Sequence, residues 1–152
     1  MPNVIRVKQF EQESIVVGST GNDPFVQIAD LEVIDGSSVT VTTSGMIYVS
    51  DRGRHVIWRL KEGLEPVVFA GELDTPGYVD GESETARFNN PKKIVCDNSG
   101  NLYVFDSENH RIRKIDSNGN VSTVTRINDL SREAALTISP DGAIFAVTAS
   151  AS

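Results

Sequence analysis

Three segments of this chain echo one another, and that repetition restricts the fold more than any other feature. SGMIYVSD ends at Asp51, SGNLYVFD at Asp106 and SPDGAIFAVT at Thr148. Gly45, Gly100 and Gly142 hold one place in the repeat, 55 and then 42 residues apart. A unit of this length cannot bury its apolar surface alone and must stack on its neighbours. In the clearest copy, 78–126, turn signals at Asp80-Gly81, Asn98-Ser99-Gly100-Asn101 and Asn118-Gly119 separate runs rich in Ile, Val, Tyr and Phe. Asn-Gly between such runs predicts a two-residue hairpin with positive φ. The copy therefore reads as a four-stranded antiparallel meander, with strands at 93–97, 102–106, 111–116 and 121–124. Along the second strand Leu102 and Val104 point one way and Tyr103 and Phe105 the other, so both faces are meant to be covered.

The same phasing organises the whole chain. Arg54-His55-Val56-Ile57-Trp58-Arg59 parallels Asn109-His110-Arg111-Ile112-Arg113-Lys114. Near the start, Asn3-Val4-Ile5-Arg6-Val7-Lys8 parallels His110 to Ile115, and Ser14-Ile15-Val16-Val17 parallels Asn120 to Thr123. The expected organisation is one domain over 1–152: a half-unit with strands three and four at 3–18, full units at 26–70 and 78–126, and a half-unit with strands one and two at 134–148. The last half-unit is degenerate, because Thr148 replaces the aspartate found at 51 and 106.

ARFNNP, SGNLYVFD, SENHRIRKID and GNVSTV, taken together, resemble one repeat of the NHL family, a β-propeller blade. The resemblance implies an all-β fold of four-stranded antiparallel blades, six to a ring. Three blades do not close a ring, since closed propellers have about four to eight. An open arc would expose apolar faces and strand edges. Two copies with complementary half-blades would make six, so the expectation is a homodimer with twofold symmetry. Two other readings stay open: a piece of a longer propeller, or a different chain supplying the remaining blades.

Charge narrows the partners. The 152 residues carry a net charge of −7, with a pI near 4.8. Such a chain is poorly suited to a sequence-independent grip on nucleic-acid phosphates and is not drawn to anionic membranes. NHL propellers of tripartite-motif proteins bind single-stranded RNA through a basic face. Here Trp58, Arg59, Arg111, Arg113 and Lys114 are the local positive and aromatic features, with few exposed aromatics for stacking. Nucleic acid is not the expected partner. The lone Cys96 forms no intrachain disulfide. Residues 1–10 show no apolar signal core and no apolar run reaches membrane-spanning length, so a soluble cytoplasmic protein is the default expectation.

Candidate chemistry is sparse. His55 and His110 are the two histidines and occupy equivalent places before strand three. Some propellers resembling NHL repeats hold a zinc in the central channel with histidines, so a divalent metal is the cofactor these two would take. A catalytic zinc needs three convergent ligands, however. His110 stands in the NHRI motif, whose histidine the family resemblance implies to be structural, packed in the loop near Asp106, and the same holds for His55 with Asp51; no cofactor is expected. The two aspartates are expected to accept hydrogen bonds from backbone N–H groups of the turn that follows each. Arg87, Phe88 and Pro91 match the segment leading into strand one, with Phe88 packing between blades and Pro91 setting the strand entry. No glycine pattern cradles a nucleotide phosphate, and neither Ser50 nor Ser107 sits in a nucleophile elbow beside its histidine. The loop bearing Asp74, Tyr78, Asp80, Glu82 and Glu84 is the candidate binding surface, because connections between blades are free to vary on one face. The function expected is a non-catalytic scaffold that displays this loop face to a protein or peptide. The alternative is a six-bladed propeller enzyme, a metal-assisted lyase or hydrolase with its site in the central channel.

Overall fold

Each hairpin turn is closed by its own first residue. The computed structural model describes residues 36–61, 64–127 and 134–148, and the backbones of three earlier strands. At Asp97, the backbone exchanges hydrogen bonds with Asn101 and Gly100, while Oδ1 accepts the N–H groups of Ser99 and Asn101. Asp116 repeats this with Asn118 and Asn120. Thr42 and Ser139 repeat it with a hydroxyl that accepts from Met46 and Ala143. Gly45, Gly100 and Gly142 have φ of 82°, 83° and 89°, a region that costs glycine little. These are three-residue loops with a single left-handed glycine, not the two-residue hairpins that Asn-Gly suggests, because a side chain at the first position satisfies the extra N–H groups.

The strands so joined form four antiparallel sheets. The first is β1 (Ile5–Lys8), β2 (Ser14–Val17) and β3 (Val26–Ala29), in that order. The second is β4 (Gly36–Val41), β5 (Ile47–Asp51), β6 (Val56–Leu60) and β7 (Val67–Ala70). The third is β8 (Pro91–Cys96), β9 (Leu102–Asp106), β10 (Arg111–Ile115) and β11 (Val121–Arg126). The fourth is β12 (Ala134–Ile138) and β13 (Ile144–Thr148). A 3-10 turn, Ser107–Asn109, links β9 to β10. The fold is nearly all-β, and its two complete sheets are four-stranded and antiparallel. Residues 26–29, grouped by sequence with the following unit, hydrogen-bond to β2 instead.

Successive sheets meet along their first strands, with β4 beside β8 and β8 beside β12. Side chains sew β4 and β5 to β8: Ser50 Oγ donates to the Lys92 carbonyl at 2.5 Å, and the Ile94 N–H donates to Ser38 Oγ at 3.2 Å. The Cys96 thiol sits in this seam, accepting from Thr40 Oγ1 and donating to the Val41 carbonyl. Between the two four-stranded sheets lies one core in which Tyr48, Ile57 and Phe69 meet Phe88, Ile94, Leu102 and Val104. Phe88 is wholly buried there, which is the packing between blades expected for it.

Candidate functional site

The long connection from β7 to β8 crosses one sheet to reach the next, and a buried arginine holds it in place. At its start Gly71 has φ of 94°, and a Cβ there would lie 2.8 Å from the His55 carbonyl. Only glycine passes so close to the neighbouring turn. Further on, Val79 pairs with Arg87 and Gly81 with Val121 as isolated bridges, so the loop is pinned both to itself and to β11.

Arg113 of β10 is fully buried, and all five of its N–H groups are placed. Nε and Nη2 donate to Asp80 Oδ1 at 3.1 and 2.8 Å. Nη2 also donates to the Val79 carbonyl, and Nη1 to the Arg87 carbonyl. Nη1 finally donates to Asp106 Oδ2 at 2.7 Å. Both Arg113 and Asp106 are 0% exposed, while the Asp80 side chain is 41% exposed. The guanidinium also lies 4.9 Å from the Tyr78 and Phe88 ring centres. An ion in a water-free core is tolerated only with such complete pairing.

The network extends outward from Arg113. Thr123 Oγ1 donates to Asp80 at 2.9 Å. Its single proton being used there, Tyr78 O–H is the donor of the 2.8 Å bond between Tyr78 and Thr123. Arg111 covers the Tyr78 ring at 4.1 Å. Among the candidate loop residues, Tyr78 and Asp80 are therefore brought together and immobilised. Asp74, with φ of 57°, pairs instead with Arg54 at 3.4 Å. Glu82 and Glu84 contribute backbone carbonyls: Glu82 accepts from Thr85 and Ala86, and Glu84 from Arg87. Both residues are exposed. Arg87 pairs with Glu72 and donates to the carbonyls of Glu84, Thr85 and Ala86. Pro91 is buried at the start of β8.

Asp106 differs from the local turn acceptor expected of it. It accepts the Asn89 N–H at 2.8 Å, Asn109 Nδ2 at 2.6 Å and Arg113 Nη1, so it joins the incoming connection to β10 rather than capping one turn. Burial pushes its carboxyl up to about 6, against the downward pull of those same donors. Asp51 does serve its following turn, accepting the Arg54 N–H at 3.2 Å, and it also accepts Trp58 Nε1 at 3.1 Å.

His55 and His110 both adopt left-handed backbone, φ 62° and 52°. His55 Nδ1 accepts the Asn90 N–H at 3.1 Å, a bond from one sheet to the connection entering the next. Burial holds the His55 imidazole below its ordinary value, with Asp74 and Asp51 pulling the other way. Nδ1 of His55 is thus already committed, and among the described residues no three His, Cys, Asp or Glu side chains converge as a metal site would require. His110 Nδ1 is buried with no partner among the described residues.

Sequence reading missed Arg113, Thr123 and Asn109 as site residues. A signal did exist: Trp58 and Arg113 are equivalent in the repeat, and a charged residue alternating with Ile112 on a strand covered on both faces demands a buried partner. Beside the loop an open cleft of about 360 Å³ is lined by Val68, Phe69, Leu73, Glu72, Ser83 and Glu84. No helix among the described residues is long and apolar enough to cross a membrane.

Comparison with known proteins agrees with this architecture. The profile of the Teneurin NHL domain matches residues 73–149. NHL repeat-containing protein 2 of Gallus gallus is 39% identical over 80 residues, covering 51% of this chain and 11% of that protein. The chain spans about a tenth of the length of the curated relatives it matches. Among solved structures, an auxiliary nutrient binding protein from Bacteroides ovatus superposes with a TM-score of 0.66 at 18% identity, over 80% of this chain and 33% of that one. Virginiamycin B lyase from Staphylococcus aureus superposes at 0.57 with 15% identity, over 75% and 34%. At such identities these structures speak for the fold alone.

Proposed function

We propose, for a chain that belongs to the Teneurin NHL domain family and carries the NHL β-propeller fold, a non-catalytic role in which the loop face binds a basic protein or peptide segment. One observation carries this reading: Glu82 and Glu84 stay exposed on a connection that the Arg113 network makes rigid. Preorganised contacts bind with less ordering cost than mobile ones. The adjoining cleft has an apolar floor of Val68, Phe69 and Leu73 with Glu84 at its rim. That suits a Lys or Arg side chain, whose aliphatic stem can lie on apolar surface while its charge meets carboxylate. A binding protein and a lyase both stand among the fold neighbours, and the functions of those proteins are their own.

The test is a peptide array of matched length, basic against acidic, probed with the native chain and with Glu82→Lys/Glu84→Lys. Selective retention of basic peptides that the double variant loses supports the reading. Retention indifferent to peptide charge, or unchanged by the reversal, overturns it. The enzyme alternative would place a reacting group beside β4, β8 and β12, the strands along which successive sheets meet. Ser38, Ser50, Thr40 and Cys96 in that region are occupied in binding one sheet to the next.

A further inference from the structure

The same face of each sheet receives the next sheet. On β4–β7 this face carries Tyr48 and Ser50, 6% and 0% exposed, and it meets β8 and Phe88. On β8–β11 the repeat puts Phe105 at the place of Ser50, and it too is 0% exposed. On β12–β13 the equivalent residues are Phe145 and Val147, which are 57% and 71% exposed. They pair with Thr137 and Ala135, both also exposed, whereas Leu136 on the opposite face is 4% exposed. So the face bearing Leu136 is partly covered by the preceding sheet, with Ala146 on it still exposed, and the other face is open. Its edge is open as well: β9 pairs with β8 on one side and β10 on the other, whereas β13 has β12 alone among the described residues.

We infer that the open edge of β13 is the docking site for β1, the edge strand of the β1–β2–β3 sheet, of a second copy of the chain. The interface is the continuation of one already seen twice within the molecule. The occupant follows from the strand complement. β12 and β13 hold the places of the first two strands of a blade, and β1 and β2, by the match of Ile5–Lys8 to Ile112–Ile115, the places of the third and fourth. β1 pairs with β2 on one side and has no strand on the other among the described residues. Transferring the β9–β10 register, in which Ile112 faces Phe105 and Lys114 faces Tyr103, sets Ile5 opposite Val147 and Val7 opposite Phe145. Backbone pairing along an open edge supplies affinity, and the cross-strand pairs of Val147 with Ile5 and of Phe145 with Val7 add apolar contact along the edge. Repeated reciprocally, the contact is isologous and closes on itself.

Light scattering on a sizing column tests this with the 152-residue chain. The expected result is twice the chain mass of 16.5 kDa, falling to the single mass in Val147→Asp. The near-ultraviolet signal of Trp58, bonded to Asp51 in a core remote from β13, must persist in that variant, so that lost folding is not read as lost docking. An Ile5→Cys/Val147→Cys protein should give an intermolecular disulfide on oxidation, and Ile5→Cys/Ile144→Cys should not. A native chain that is a soluble monomer overturns the inference. So does an open-ended series of larger species, a dimer indifferent to Val147→Asp, or a dimer that cross-links equally through either cysteine pair.

Discussion

Trp58 in β6 and Arg113 in β10 occupy the same place in successive sheets, and each donates to the aspartate that ends the preceding strand. Around Asp51 the donors include an indole N–H and the Arg54 backbone. Around Asp106 they are a guanidinium, an asparagine side chain and the Asn89 backbone, and the guanidinium runs on to Asp80 in the crossing loop. One position in the repeat therefore serves two purposes. In the first sheet it fills the core and bonds the aspartate that caps the following turn. In the second it anchors the loop that forms the candidate binding face.

The largest expected effect breaks the second arrangement. Arg113→Met leaves Asp106 buried without its cation, a change that costs roughly 3–5 kcal/mol in comparable buried pairs. Urea unfolding followed by Trp58 fluorescence measures it, and the 72–87 loop should become sensitive to protease at the same time. Phe88→Ala probes what the sheets share. Removing a wholly buried ring costs about 3–5 kcal/mol, and because Phe88 packs against both sheets, Trp58 fluorescence and far-ultraviolet circular dichroism should report one coincident transition. Two separate transitions would show that the sheets unfold independently. Trp58→Phe, followed by circular dichroism, should cost about 1–2 kcal/mol from a lost hydrogen bond and a small cavity. A loss equal to that of Arg113→Met would erase the distinction between the two positions.

The link between the sheets responds to pH. His55 Nδ1 accepts from Asn90 only while the imidazole is neutral. Burial depresses its pKa below the ordinary 6.5, so the unfolded chain takes up the proton first. The stability it contributes is present above 6.5 and is lost as pH falls through the depressed folded value. Asn tolerates left-handed backbone and can also accept the Asn90 N–H. The stability of the native chain relative to His55→Asn should therefore decline as pH is lowered from neutrality. Asp106, with its raised value, works in the opposite direction but is common to both proteins. A difference that does not vary with pH would remove His55 from the seam. The smallest effect is that of Tyr78→Phe, which removes the hydrogen bond to Thr123 on a half-exposed side chain and should cost under about 1 kcal/mol.

Much of the architecture was legible in the repeat. The spacing of Gly45, Gly100 and Gly142, and the alternation of Leu102, Tyr103, Val104 and Phe105, determine strands, turns and two covered faces by local stereochemistry and apolar periodicity. The place of Phe88 between sheets was implied by the resemblance of its segment to the NHL repeat, not by that pattern. The turn class was not legible in Asn-Gly alone, because Asp97 and Asp116 bind the N–H groups of their own loops and make three-residue turns preferable to the two-residue form. The candidate site was only partly legible. Asp74, Tyr78, Asp80, Glu82 and Glu84 looked alike as a solvated acidic loop. Tertiary structure divided them, committing Asp80 and Tyr78 to Arg113 and Thr123, committing Asp74 to Arg54, and leaving Glu82 and Glu84 exposed. Pairing across 33 residues between Asp80 and Arg113 has no local signature. It arises because the crossing loop folds back over the strand that carries the cation, where exclusion of water makes each missing partner costly.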